Sequence, residues 1–198
     1  MFDLDLVSLY PSIIMSLNIG HETYVSRIIN DDTDDDRWSL KELKEYNDNI
    51  DITIEFNTLE RKEVKIKDLI KYIESNDFTI TPNGTIYSTN KQSVLSSVLN
   101  IWFKERVKYK DKMKEYKKNN DKENANKYHI MQYTMKILLN SLYGATALPS
   151  FRYGMSYSIL SEAITLSGHR IIQESALVAN RHMNGVIKGT IPKETLLN

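Results

Sequence analysis

The sequence predicts an α+β fold, in which a small antiparallel sheet with packed helices carries two long antiparallel helices. Three observations predict it. Asn83-Gly84 sits between the β-prone runs 78–80 and 85–87, a strong hairpin signal. Apolar residues recur at helical spacing from Val94 to Leu142, with one interruption at the polar patch 117–124. A further apolar stripe of the same period runs over 158–180.

The chain has 198 residues, which suits one domain or slightly more. A hydrophobic fraction of 41% is enough for a core and argues against wholesale disorder. With no cysteine there is no disulfide framework, no cysteine-based zinc site and no thiol nucleophile. No run is long and apolar enough to span a bilayer, and the first residues lack a basic, signal-like segment. The expectation is a soluble cytoplasmic protein. Formal net charge is zero, from 26 Lys+Arg and 26 Asp+Glu, but the charges are segregated. Residues 31–36 carry five acids, whereas 104–127 carry ten bases against five acids. Such a local basic element can meet a polyanion; the alternative is a solvated helix face.

In chain order, 2–7 alternates and reads as a short strand with Asp5 near its end and Asp3 facing solvent. Pro11 then opens a short helix, since a first-turn proline sacrifices no hydrogen bond, and Asn18 with Gly20 stops it. The acidic run 31–36 is a loop or a helix start. Short helices are expected over 40–46 and 66–74, and a strand over 50–59. The two long helices then form an αα-hairpin with its tip near residue 121. Gly144 is expected to end the second of them. A final helix over 158–180 precedes a frayed tail from 185 onward.

The hairpin brings chemistry-bearing residues to one height. Arg106 and Lys136 lie fifteen residues either side of residue 121, roughly 22 Å from the tip at 1.5 Å per residue. Lys110 is one turn from Arg106, Asn140 is one turn from Lys136, and Tyr143 lies three residues further on. Cations converging there repel unless an anion lies between them, and a triphosphate would satisfy them. The alternative is that they splay into solvent. Asp5 facing a triphosphate would need a divalent cation between, for which Mg²⁺ is suited. Carboxylate, metal and phosphate-gripping cations together point to phosphoryl transfer.

Two strings carry a family resemblance. Asp5-Leu6-Val7-Ser8-Leu9-Tyr10-Pro11-Ser12-Ile13-Ile14 resembles motif A of the family B (α-like) DNA polymerases, D-x-x-S-L-Y-P-S-I-I. Lys136-Ile137-Leu138-Leu139-Asn140-Ser141-Leu142-Tyr143-Gly144 resembles their motif B, K-x-x-x-N-S-x-Y-G. Residues 82–84 and 102–106 resemble the palm hairpin and the start of the fingers, and the flavour is closest to T-even-like phage enzymes. The resemblance implies a partial polymerase palm over 1–90, a fingers helical hairpin over 91–146, and a return into the palm over 147–198. It implies Asp5 as the catalytic carboxylate and ligand of both metals, with Leu6 offering a backbone carbonyl to Mg²⁺. The backbone N–H groups of Ser8 and Leu9 would meet triphosphate oxygens, and Tyr10 would be the steric gate against a ribose 2′-hydroxyl. Arg106, Lys110 and Lys136 would grip the incoming dNTP. Asn140, Tyr143 and Gly144 would line the nascent base pair. Arg152 is a weaker candidate for template contact, and the four histidines show no ligand spacing.

One departure matters. The family's later motif C, Y-G-D-T-D-S, with the second metal-binding carboxylate, is absent from these 198 residues. One carboxylate cannot hold a two-metal site. The expectation is therefore a fragment of a DNA-directed DNA polymerase, or half of a split one, inactive alone. Its partners would be a DNA primer-template, dNTP, and the remaining exonuclease, motif C palm and thumb in the same or another chain. The alternative is a non-catalytic module that binds nucleotide or nucleic acid, or docks on another polypeptide.

Overall fold

The computed structural model describes residues 8–29, 38–47, 49–148 and 157–187. The expected strand over 2–7, with Asp3, Asp5 and Leu6, the acidic run 31–36, Arg152 and residues 188–198 lie outside the described residues. The fold is α+β. Five strands, β1 (Tyr24–Ile29), β2 (Asp51–Phe56), β3 (Arg61–Lys65), β4 (Thr79–Ile80) and β5 (Thr85–Tyr87), form one antiparallel sheet in the order β3-β2-β1-β5-β4.

Helices cover both faces of that sheet. On one, Ile28, Ile54 and Ile86 pack with Trp38, with Leu43 of α2 (Leu40–Leu43), and with Ile66, Leu69 and Ile73 of α3 (Ile66–Ser75). On the other, Tyr24 and Tyr87 join a core built from α1 (Leu9–Ser16), α4 (Val94–Lys118), α5 (Lys122–Thr146) and α6 (Tyr157–Ile187). Ile13, Ile14, Leu99, Leu139, Ala163 and Ile164 supply its fully buried side chains. Neighbours Ile86 and Tyr87 thus point into opposite cores, as the period of two in a strand requires.

Two strands escape the sequence pattern. β1 places Ser26 and Arg27 among its apolar residues because, as the central strand, it has both faces covered. Arg27 pairs with Glu162 of α6 at 3.2 Å. β3 reads Arg-Lys-Glu-Val-Lys because it is an exposed edge, where charge blocks pairing with another chain. The Asn83-Gly84 turn does join β4 to β5. Gly84 adopts φ +77°, and a Cβ there would lie 3.0 Å from Ile28 Cβ, so only glycine fits.

α1 has Pro11 in its first turn and ends at Ser16 with Leu17 as its C-cap, after which Asn18 turns left-handed at φ +55°. The Ile19 N–H reaches back to Ile14 O at 3.0 Å. The buried Asn18 side chain then donates to Ser88 O and Lys91 O, both at 2.7 Å, and accepts from Ser93 N at 2.8 Å. Ser93 is the N-cap of α4. One amide side chain therefore ties the end of α1 to the root of the long hairpin.

At the hairpin tip, Asn120 is left-handed at φ +56° and the Asp121 carboxylate caps α5 by accepting from Asn124 N at 3.1 Å. Tyr116 and Tyr128 stack across the pair with centroids 5.4 Å apart. Gly144 does not end α5, contrary to its composition signal. The helix runs two residues further, to Thr146, whose hydroxyl donates to Tyr143 O at 2.7 Å. A glycine in a last turn costs about 1 kcal/mol, and packing around buried Leu139 and Thr146 outweighs it. α6 is also longer than the stripe over 158–180, and residues 185–187 are helical rather than frayed.

Candidate functional site

Ser8 precedes α1 in a left-handed conformation, φ +57° and ψ +43°. Its hydroxyl does not cap the helix. Instead Ser8 Oγ accepts a hydrogen bond from Arg106 Nη1 at 2.9 Å. The start of α1 therefore has no side-chain cap, and Pro11 has no N–H to offer. Uncapped amides at a helix start are suited to an anion.

Arg106 is 8% exposed, and its Nε has no hydrogen-bond partner among the described residues. It belongs to none of the ion pairs formed among them. Burying a guanidinium without a counter-charge is costly, so the position calls for an anion.

Lys112 Nζ lies 3.4 Å from the Tyr128 hydroxyl, which sets the register of the hairpin. Six residues back along α4 and eight on along α5 stand Arg106 and Lys136, level to within about 3 Å at 1.5 Å per residue. Lys110 is half-buried, while Lys136, Asn140 and Gly144 are exposed. Neither lysine makes an ion pair among the described residues.

A second pairing joins the two motif-bearing helices. The rings of Tyr10 on α1 and Tyr143 on α5 stack with centroids 4.3 Å apart and planes 25° from parallel. Beside them stands α6, the final helix, to which the sequence pattern assigned no site residue. The Tyr143 hydroxyl lies 2.9 Å from Thr165 Oγ1, and Gly168 lies against the Tyr10 ring. The signal was available: Ser161, Thr165 and Gly168 are small residues at helical spacing.

The structure thus brings together Ser8 with Arg106, and Tyr10 with Tyr143. Leu9 packs against the same core as those tyrosines. Asp5 and Leu6 lie outside the described residues. Among the described residues, no group of three His, Cys, Asp or Glu side chains is placed to hold a metal ion. Those residues by themselves do not complete a Mg²⁺ site. Nor is any helix among them long and apolar enough to cross a membrane.

Perturbed titrating groups lie elsewhere. Burial pushes the Tyr24 hydroxyl up to about 12, with Glu55 adding to the shift, and burial likewise raises Tyr87. An apolar groove of about 460 Å³, lined by Leu9, Ile13, Trp38, Pro82 and Arg170, shares only Leu9 with the candidate site. Its one cation, Arg170, is paired with Glu42 at 2.9 Å.

Comparison with known proteins matches residues 2–195 to a family model described as DNA polymerase family B. The chain is 29% identical over 173 residues to the DNA polymerase zeta catalytic subunit of Schizosaccharomyces pombe, covering 87% of this chain and 10% of that protein. It is 28% identical over 176 residues to the DNA polymerase zeta catalytic subunit of Saccharomyces cerevisiae, with the same coverage of each. The chain therefore spans about a tenth of the length of these curated relatives.

Proposed function

Because the chain belongs to DNA polymerase family B, we propose that it is the palm and fingers portion of a template-directed DNA polymerase. In this reading 1–90 is palm, 91–146 is the fingers hairpin, and 147–198 returns to the palm. Its substrates are an incoming dNTP and a DNA primer-template. The T-even-like motif flavour supports a phage-encoded enzyme acting in the host cytoplasm.

Arg106, Lys110 and Lys136 bind the triphosphate, with Arg106 forking to two oxygens while the lysines act as point charges. The amides of Ser8 and Leu9, at the entry to α1, add donors that are oriented before the nucleotide arrives. Tyr10 fills the space of a 2′-hydroxyl. Asn140, Tyr143 and Gly144 face the nascent base pair. Asp5, with the Leu6 carbonyl, would hold Mg²⁺ together with a carboxylate from outside this sequence, and the metal would supply activation of the primer 3′-hydroxyl and neutralisation of phosphate charge. The chain's own residues position the nucleotide and hold its charge, which is most of what phosphoryl transfer asks of a protein. Alone, the chain does not polymerise.

The observation that carries this reading is the buried Arg106 guanidinium, held by Ser8 with its Nε unpartnered among the described residues. In the polymerase assembly containing this chain, Arg106→Ala raises KM for dNTP about tenfold or more, the loss of one charge-assisted contact. An unchanged KM removes Arg106 from the nucleotide site. Primer extension by the isolated chain stays at background, and incorporation above it contradicts the need for a second carboxylate.

A further inference from the structure

We propose that α6 sets the position of the Tyr10 ring through Gly168 and Thr165, and thereby tunes sugar discrimination without touching the nucleotide. The proposal rests on Tyr10 acting as the gate.

The Tyr10 ring has two close neighbours. One is the Tyr143 ring, at 4.3 Å between centroids. The other is the backbone of Gly168, buried in the interior of α6. A Cβ on Gly168 would lie 3.0 Å from Tyr10 Cε1, and 3.6 Å from both Tyr10 Cδ1 and Ile13 Cδ1. Glycine within a helix is unfavourable, and its backbone here needs no left-handed φ. The close approach of the gate ring accounts for it.

Thr165 fixes the other half of the pair. Its hydroxyl donates to Ser161 O at 2.8 Å. That spends its single proton, so the Tyr143 hydroxyl is the donor in the 2.9 Å contact with Thr165 Oγ1. Tyr143 is thus anchored to α6 at its tip and stacked on Tyr10 along its face. Ser161, Thr165 and Gly168 lie on one side of the helix, one turn apart. A single rigid rod therefore locates both rings, and moving either contact moves the gate by tenths of an ångström.

The test measures the ratio of kcat/KM for deoxyribonucleotide to that for ribonucleotide in the polymerase assembly. Gly168→Ala is expected to change the ratio by at least about threefold, because small displacements at a reacting site carry large rate effects. Thr165→Val is expected to change it too, and Thr165→Ser to restore it. In a Tyr10→Ala background, Gly168→Ala is expected to leave the ratio unchanged within about twofold, since the ring it displaces is gone. Tyrosine-labelled NMR of the chain, folded as judged by thermal unfolding, should show the Tyr10 ring signals shifted in Gly168→Ala and Thr165→Val. Relaxed discrimination in Tyr10→Ala with no change in Gly168→Ala or Thr165→Val overturns the proposal and leaves the gate intact. An equal change from Gly168→Ala in both backgrounds also overturns it. No change in Tyr10→Ala itself removes the gate, and this proposal with it.

Discussion

The hydroxyl of Ser8 and the guanidinium of Arg106 lie 98 residues apart in sequence and 2.9 Å apart in space. The bond joins the turn before α1 to the middle of α4, so the long hairpin is fastened to the turn that precedes its partner helix. It also costs something: Ser8 holds φ +57°, a region that disfavours a side chain by about 1–2 kcal/mol.

Two substitutions separate these effects. Ser8→Ala keeps the strained backbone and strips a buried charged donor of its acceptor, so stability in urea unfolding should fall by about 1–3 kcal/mol. Ser8→Gly loses the same hydrogen bond but relieves the left-handed strain, and should lie above Ser8→Ala in stability. Equal stability of the two variants would show that the turn is not strained.

Asn18 is the second fastening, 8% exposed and bonded to three backbone groups of the segment leading into α4. Alanine there leaves two carbonyls and one amide without partners. Asn18→Ala should lower unfolding stability by about 2–4 kcal/mol. Hydrogen exchange should speed up at Ser93 N, whose acceptor is lost, relative to the hairpin tip. Uniform exchange changes along α4 would mean that Asn18 does not act locally.

Asp121 makes the hairpin tip sensitive to acid. Hydrogen bonds from the Asn124 side chain and backbone hold its carboxyl below the usual range. A depressed carboxylate stabilises the fold above its unfolded value, near ~3.9, and that stability drains away as pH falls through the folded value. Helicity of the tip, followed by circular dichroism, should therefore drop below about pH 4. Asp121→Asn still caps α5 but cannot titrate, and should shed this component of the acid transition. An identical acid profile in the variant would place the cause in other carboxylates.

Much of the fold was legible because it is encoded locally. The helical period over 94–142, broken at 117–124, fixes both long helices and their turn, since each residue's preference refers to neighbours three and four away. Asn83-Gly84 dictates its own turn through the one residue able to adopt φ +77°. Equidistance from the tip was enough to place Arg106 and Lys136 at one height. β1 and β3 were not legible, because Ser26 and Arg27 in one and the charges of the other make sense only once their neighbours in the sheet are known.

The sequence by itself determined the long helices, the turn at Asn83-Gly84 and the two residue strings that mark the family. Only the tertiary structure decided that Arg106 is buried against Ser8, that Tyr10 stacks on Tyr143, and that α6 braces both through Thr165 and Gly168. The physical reason is range. Period and turn chemistry act over a few residues, whereas these contacts depend on which helix faces meet when two cores close on opposite sides of one sheet.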